Sequence, residues 1–204
     1  STGELEALLD PSRFQETAPD TFRVLLETTK GEVVIRVHRD WDPLGVDRFY
    51  SLVKAGFYDG IRFHRVITGW WAEFGIHGDP RVNEAWRTAV LPDDEVRVPN
   101  LRGRVAFGRR GVASRTVSVF INARDNLDLD AQGFAPFGEV LEGMEVVDAL
   151  YGGYGDSPPA GQGVYRPAAM ALGDRLFDED YPLLDRIRRA TVVSPGPEAG
   201  GSAP

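Results

Sequence analysis

The stretch over residues 57–78 constrains this chain most. Its centre, Phe63-His64-Arg65-Val66-Ile67-Thr68-Gly69-Trp70-Trp71, sets a guanidinium in the middle of a strand-forming run. A strand turns successive side chains to opposite faces, which predicts Phe63, Arg65 and Ile67 on one face and His64, Val66 and Thr68 on the other. Arg65 then shares its side with large apolar groups. The residues alone leave two readings open: a snorkelling or salt-bridged arginine at a sheet edge, or a functional guanidinium held against an apolar surface.

Around this stretch, short β-rich runs alternate with breakers. Residues 22–27 and 32–37 flank Lys30-Gly31 and read as a hairpin. Asp42 suits an N-cap and Pro43 the first helical position. Val46, Phe49, Tyr50 and Val53 then fall at i, i+3, i+4 and i+7 before Gly56 stops the helix. Strand patterns resume over 105–107 and 117–121, and a second helix is predicted over 144–150 with Val147 and Leu150 inward. Leu5, Leu8 and Leu9 predict a short helix or ordered arm within residues 1–20. Residues 83–89 suit a helical turn carrying Trp86, and Pro92-Asp93-Asp94-Glu95 an acidic surface turn. Seven glycines and prolines between Gly152 and Gly163 make an irregular loop over 152–167. A helical turn over 181–186, a closing strand over 189–193 and a disordered tail over 195–204 complete the chain.

The 204 residues, 42% hydrophobic, suit one domain with a sizeable core. A net charge of −8 argues against nucleic acid or an anionic membrane as partner, and a monomer is expected. With no cysteine, thiol chemistry is excluded and the redox compartment is unread. No apolar run reaches a membrane span, and the chain opens at Ser1 without a signal-like segment. That reads as a mature form exported after signal removal, periplasmic or secreted, with a cytoplasmic location left open.

Phe57-Tyr58-Asp59-Gly60, then Phe63-His64-Arg65-Val66-Ile67 and Gly69-Trp70, resemble the signature of the cyclophilin family of peptidyl-prolyl isomerases. Three blocks downstream keep the family's order: Arg102-Gly103-Arg104-Val105-Ala106-Phe107, Val119-Phe120-Ile121-Asn122, and Phe137-Gly138-Glu139-Val140 leading into Gly143-Met144. The resemblance implies a mainly β fold, a closed antiparallel barrel of roughly eight strands capped by two helices, over residues 21–194. The segment 77–99 is where the chain departs furthest from the family pattern.

By the same resemblance the activity is cis–trans isomerisation of X-Pro bonds in polypeptides, assisting folding without a cofactor or metal. Arg65 would be the electrostatic catalyst. Trp70, Phe120 and Leu129 would form the proline cradle, with Trp71, Gly108, Arg109, Ser118, Asp128 and Phe134 on the substrate side. Several positions depart from the family. Trp70 stands for Phe, Trp71 for Met, Ser118 for Gln, Asp128 for an aromatic, Gly108-Arg109 for Ala and a polar residue, and Phe134 for His. Relatives that bind cyclosporin tightly carry Trp where this chain has Asp128.

Glu73 stands where Gln is usual. Facing the groove, its carboxylate is expected to pair bidentately with Arg65 and withhold it from substrate; turned away, it would meet solvent or another arginine such as Arg109. These departures allow reduced turnover, and the alternative reading is a proline-peptide-binding chaperone or scaffold module.

Other motifs fail on context. Asp128 to Glu139 has the spacing of a calcium loop but is preceded by a strand and interrupted by Pro136 and Gly138. The three histidines lack zinc-helix spacing, and no Gly-x-Ser-x-Gly elbow presents a serine.

Overall fold

The computed structural model describes residues 1–193, so the tail over 195–204 lies outside the described residues. In chain order the first elements are α1 (Thr2–Leu8), β1 (Thr21–Thr28), β2 (Gly31–His38), α2 (Pro43–Lys54), β3 (Arg65–Ile67), β4 (Trp71–Phe74) and α3 (Pro80–Trp86). They are followed by β5 (Arg104–Phe107), β6 (Val119–Asn122), α4 (Asp128–Ala131), β7 (Pro136–Glu142), α5 (Met144–Asp148), α6 (Arg166–Leu172), α7 (Asp174–Asp180) and β8 (Ile187–Val193).

The eight strands form one antiparallel sheet in the order β3-β4-β6-β5-β7-β2-β1-β8. It curls until its two edges meet, as the expected barrel requires, but they meet at a seam rather than a full ladder. One antiparallel bridge joins Arg62 to Arg186, backed by Ile187 N–H to the Ile61 carbonyl at 2.8 Å and Phe63 N–H to the Asp185 carbonyl at 2.9 Å.

The hairpin of β1 and β2 and the helix α2 lie where their signals fall. The Asp42 side chain accepts from Gly45 N–H at 3.1 Å, Pro43 opens the helix, and Gly56 leaves it with φ +74°. Val46, Phe49, Leu52 and Val53 are buried in the core, where Phe49 meets Phe137 at 4.8 Å, each side chain contributing about 1.5–3 kcal/mol. Leu52 takes the buried place expected of Tyr50, which lies at the rim against Phe22.

Besides α2 and α5, the two expected helices, short helices cover the rest. In the atypical segment α3 starts one turn earlier than expected, with Asp79 as N-cap and Pro80 at its first position. Trp86 is fully buried and its indole N–H donates to the Leu8 carbonyl at 2.8 Å, so the N-terminal arm and α3 cover each other. Residues 93 and 94 are not a surface turn. They are half-buried, with Asp93 3.4 Å from Arg109 and both near Arg115, which donates to Asp42 and to the Pro92 carbonyl at 2.7 Å each.

The helices α6 and α7 have no counterpart among the sequence expectations. They build a small second cluster from Ile76, Val164, Ala169 and Phe177. Arg62 ties α7 to the seam through Asp174 and Asp178. Before α6 the breaker-rich loop folds on itself: Gly163 N–H donates to the Asp156 carbonyl at 2.8 Å and Gly161 N–H to that of Ser157 at 3.2 Å. The peptide between Pro158 and Pro159 is cis. The turn expected over 181–186 is a single one, closed by Leu184 N–H to the Tyr181 carbonyl at 3.3 Å.

Candidate active site

Register places the site. Arg65 of β3 lies opposite Glu73 of β4, Glu73 opposite Phe120 of β6, and Phe120 opposite Ala106 of β5. Residues directly opposite in an antiparallel ladder share a face, so one row across four strands carries a guanidinium, a carboxylate and an aromatic ring. Trp71 and Ser118, two residues along, fall on the same outer side. Ala72, Phe74, Val119 and Ile121 alternate with them and are buried in the core.

The alternation expected before Arg65 breaks. Phe63 packs on Phe74 at 5.5 Å, on the core side, whereas His64 and Arg65 both reach Glu73, at 3.1 and 3.8 Å. Regular pairing begins only at Arg65, and the single bridge at Arg62 does not carry the period through.

The outer row floors a groove of about 640 Å³. Phe120, Leu129 and Phe134 form its apolar wall, with Phe120 edge-on to Phe134 at 5.7 Å. A polar network fixes that wall: Asn100 donates from its backbone N–H and its Nδ2 to Asp130 at 2.8 Å each, and from Nδ2 to the Phe134 carbonyl at 2.9 Å. Asn122 and Asn126 extend this network, with Asn126 Nδ2 on the Trp70 carbonyl at 3.1 Å. Arg109, expected as a substrate contact, lines the groove but spends its donors on the Gly111 and Gly133 carbonyls at 2.9 and 2.8 Å.

Arg65 is 30% exposed and lies 5.0 Å from the Trp71 ring centre. Its fork–fork partner is Asp156, from the loop after α5: Nε and Nη2 meet the two carboxylate oxygens at 2.7 and 3.2 Å. Burial works against the Arg65 charge, but the Asp156 hydrogen bond and the charges of Glu73 and Asp156 more than offset it. The pairing expected between Glu73 and Arg65 is therefore corrected. Asp156 holds the bidentate seat, and Glu73 lies 3.8 Å from both Arg65 and Arg166.

Burial would raise the Glu73 carboxyl, yet the His64 hydrogen bond and the charges of His64, Arg166 and Arg65 hold it at about 2. Burial pushes His64 below its ordinary value against the pull of Glu73. His64 Nε2 lies 3.1 Å from Glu73 Oε1 and so faces an ionised carboxylate whose charge the two arginines also hold. Arg166 donates to Ser118 Oγ at 3.2 Å.

Of the expected site residues, Arg65, Trp71, Glu73, Gly108, Arg109, Ser118, Phe120, Leu129 and Phe134 meet in the groove. Trp70 and Asp128 stand outside it. Trp70 precedes the first residue of β4, so strand parity turns Trp71 to the groove, and Trp70 is 43% exposed with the Arg124 guanidinium 3.8 Å from its ring centre. Asp128, at the start of α4, is exposed. The sequence reading missed His64, Arg110, Ser114, Thr116, Gln132, Arg166 and residues 156–160. The prolines at 158 and 159 were visible, but only as breakers. Among the described residues no group of three or more His, Cys, Asp and Glu is placed to hold a metal ion.

An arginine at the rim of an apolar groove, on the outside of a curled eight-stranded sheet, defines a mainly β protein of the class that carries its site on a barrel wall. Residues 23–164 match the family model described as "Cyclophilin type peptidyl-prolyl cis-trans isomerase/CLD". The chain belongs to that cyclophilin-type family. It is 34% identical over 138 residues to peptidyl-prolyl cis-trans isomerase A of Dickeya dadantii, covering 65% of this chain and 73% of that one. With peptidyl-prolyl cis-trans isomerase B of Escherichia coli the identity is 31% over 179 residues, 84% of this chain and 99% of that one. A crystal structure of a Cryptosporidium parvum cyclophilin superposes with a TM-score of 0.61 at 16% identity, covering 86% and 99% of the two chains, a likeness of fold.

Proposed function

We propose that this protein catalyses cis–trans isomerisation of X-Pro bonds in polypeptides, with Arg65 as the transition-state donor. The observation that carries this reading is the row Arg65, Glu73, Phe120, which sets a guanidinium beside an apolar wall on the outer sheet face. Family membership and relatives named as isomerases support it.

Resonance gives the peptide C–N bond a rotational barrier of ~18–20 kcal/mol. As the bond twists, the prolyl nitrogen becomes pyramidal and its lone pair leaves the carbonyl. That lone pair then accepts a hydrogen bond that the planar ground state cannot, so a guanidinium donor there stabilises the transition state selectively. Phe120, Leu129 and Phe134 seat the proline ring, and Trp71 backs the guanidinium. The net charge of −8 favours polypeptide over nucleic-acid clients.

A protease-coupled assay on a proline peptide tests the reading. Arg65→Ala should cost about 2–4 kcal/mol of transition-state stabilisation in kcat/KM with the circular dichroism unchanged. A variant with undiminished kcat/KM would overturn the assignment.

A further inference from the structure

Two of the Arg65 donors, the Nε–Nη2 edge of its fork, are already engaged. Asp156 takes its Nε and Nη2, and the four residues that follow, Ser157-Pro158-Pro159-Ala160, line the same groove. A segment with a carboxylate followed by two prolines thus borders the groove with its carboxylate on Arg65, and it belongs to this chain.

Three features make the seat a built one. The Arg65–Asp156 contact is a two-bond fork, the geometry that fixes orientation as well as distance. Behind it, Gly161 and Gly163 donate onto the Ser157 and Asp156 carbonyls, and a Cβ at either glycine would collide with the Asp156 backbone. The loop's far end is anchored as well: Arg166, opening α6, enters the groove on Ser118 and stands 3.8 Å from Glu73.

We propose that residues 156–160 are an intramolecular ligand of the groove, which a client must displace. The outside ligand the groove favours is then of the same class, a peptide with a carboxylate two residues before a proline, as in Asp-Ser-Pro. The catalytic readout of this inference rests on the isomerase reading; occupancy of the groove does not.

Asp156→Asn keeps the side-chain shape and removes the charge on the fork. Its kcat/KM on a neutral Ala-Pro peptide should rise about tenfold, and Asp156→Lys, which sets a like charge against Arg65, should raise it further. The peptide acetyl-Asp-Ser-Pro-Pro-Ala-amide, titrated calorimetrically, should bind Asp156→Asn at least tenfold more tightly than the unaltered protein. The same peptide with Asn in place of Asp should lose that advantage.

Equal peptide affinity in the two proteins, or a fall in kcat/KM showing that Asp156 positions Arg65 for work, would overturn the proposal. Tighter binding by the variant with no turnover in either protein would remove the isomerase reading and leave the intramolecular ligand standing. Turnover that Asp156→Asn leaves unchanged would do the reverse.

Discussion

Glu73 is a carboxylate 16% exposed, and it survives burial because three groups answer its charge: His64 at 3.1 Å, and Arg65 and Arg166 at 3.8 Å each. Its folded pKa of about 2 lies below the ordinary 4.5, so the ionised form favours the folded state. A depressed carboxylate contributes its stability above the unfolded value and loses it as pH falls through the folded one. Stability should therefore drop between about pH 4.5 and about 2. At ~1.4 kcal/mol per tenfold change in proton affinity, the loss is on the order of 3 kcal/mol. Urea midpoints across that range should show the loss in the unaltered protein and much less of it in Glu73→Gln. An equal acid response in both would refute the assignment. A groove carboxylate facing Arg65 was legible from position 73; the bidentate partner was not, because 91 residues separate Arg65 from Asp156 and no local period links them.

Among the elements, α2 shows how one residue serves two structures. Asp42 caps the helix through Gly45 and meets Arg115, which is 2% exposed and reaches on to the Pro92 carbonyl. Asp42→Ala would remove both the helix cap and the nearest carboxylate on that buried guanidinium, leaving Asp93 and Asp94 at 3.8 and 3.9 Å, and should destabilise by about 2–4 kcal/mol in equilibrium unfolding. A loss below 1 kcal/mol would show that water reaches Arg115. Cap, proline and apolar spacing coincide in α2, which made it legible. The helices α6 and α7 offered weaker signals. Pro167 fell at the end of the expected irregular loop, though a proline is tolerated in a first helical turn, and Gly173 divides the pattern. Their apolar residues also pack on Ile76 and Val164 rather than on the main core, so each buries few. The arm α1 was legible from its leucines, but its anchor on Trp86 was a contact across 78 residues.

At the scale of the molecule, the cyclophilin-type fold is a sheet curled to a seam, and Arg65 stands on a three-residue edge strand beside it. No helix among the described residues is long and apolar enough to cross a membrane. The family match ends at residue 164, so Arg166, α6, α7 and the closing strand β8 lie beyond it. With Asp128 exposed outside the groove and residues 156–160 lining it, cyclosporin should bind weakly. Nanomolar affinity by calorimetry would contradict that. A ligand joined to its site by the chain is never diluted. The fraction of free grooves is then a property of each molecule, the same at nanomolar and millimolar protein, and an outside ligand's apparent dissociation constant is its intrinsic one divided by that fraction. With one groove in ten free, a ~1 μM ligand would register at ~10 μM. Throughput would then follow the supply of clients, with crowded, newly made chains served and scarce ones passed over.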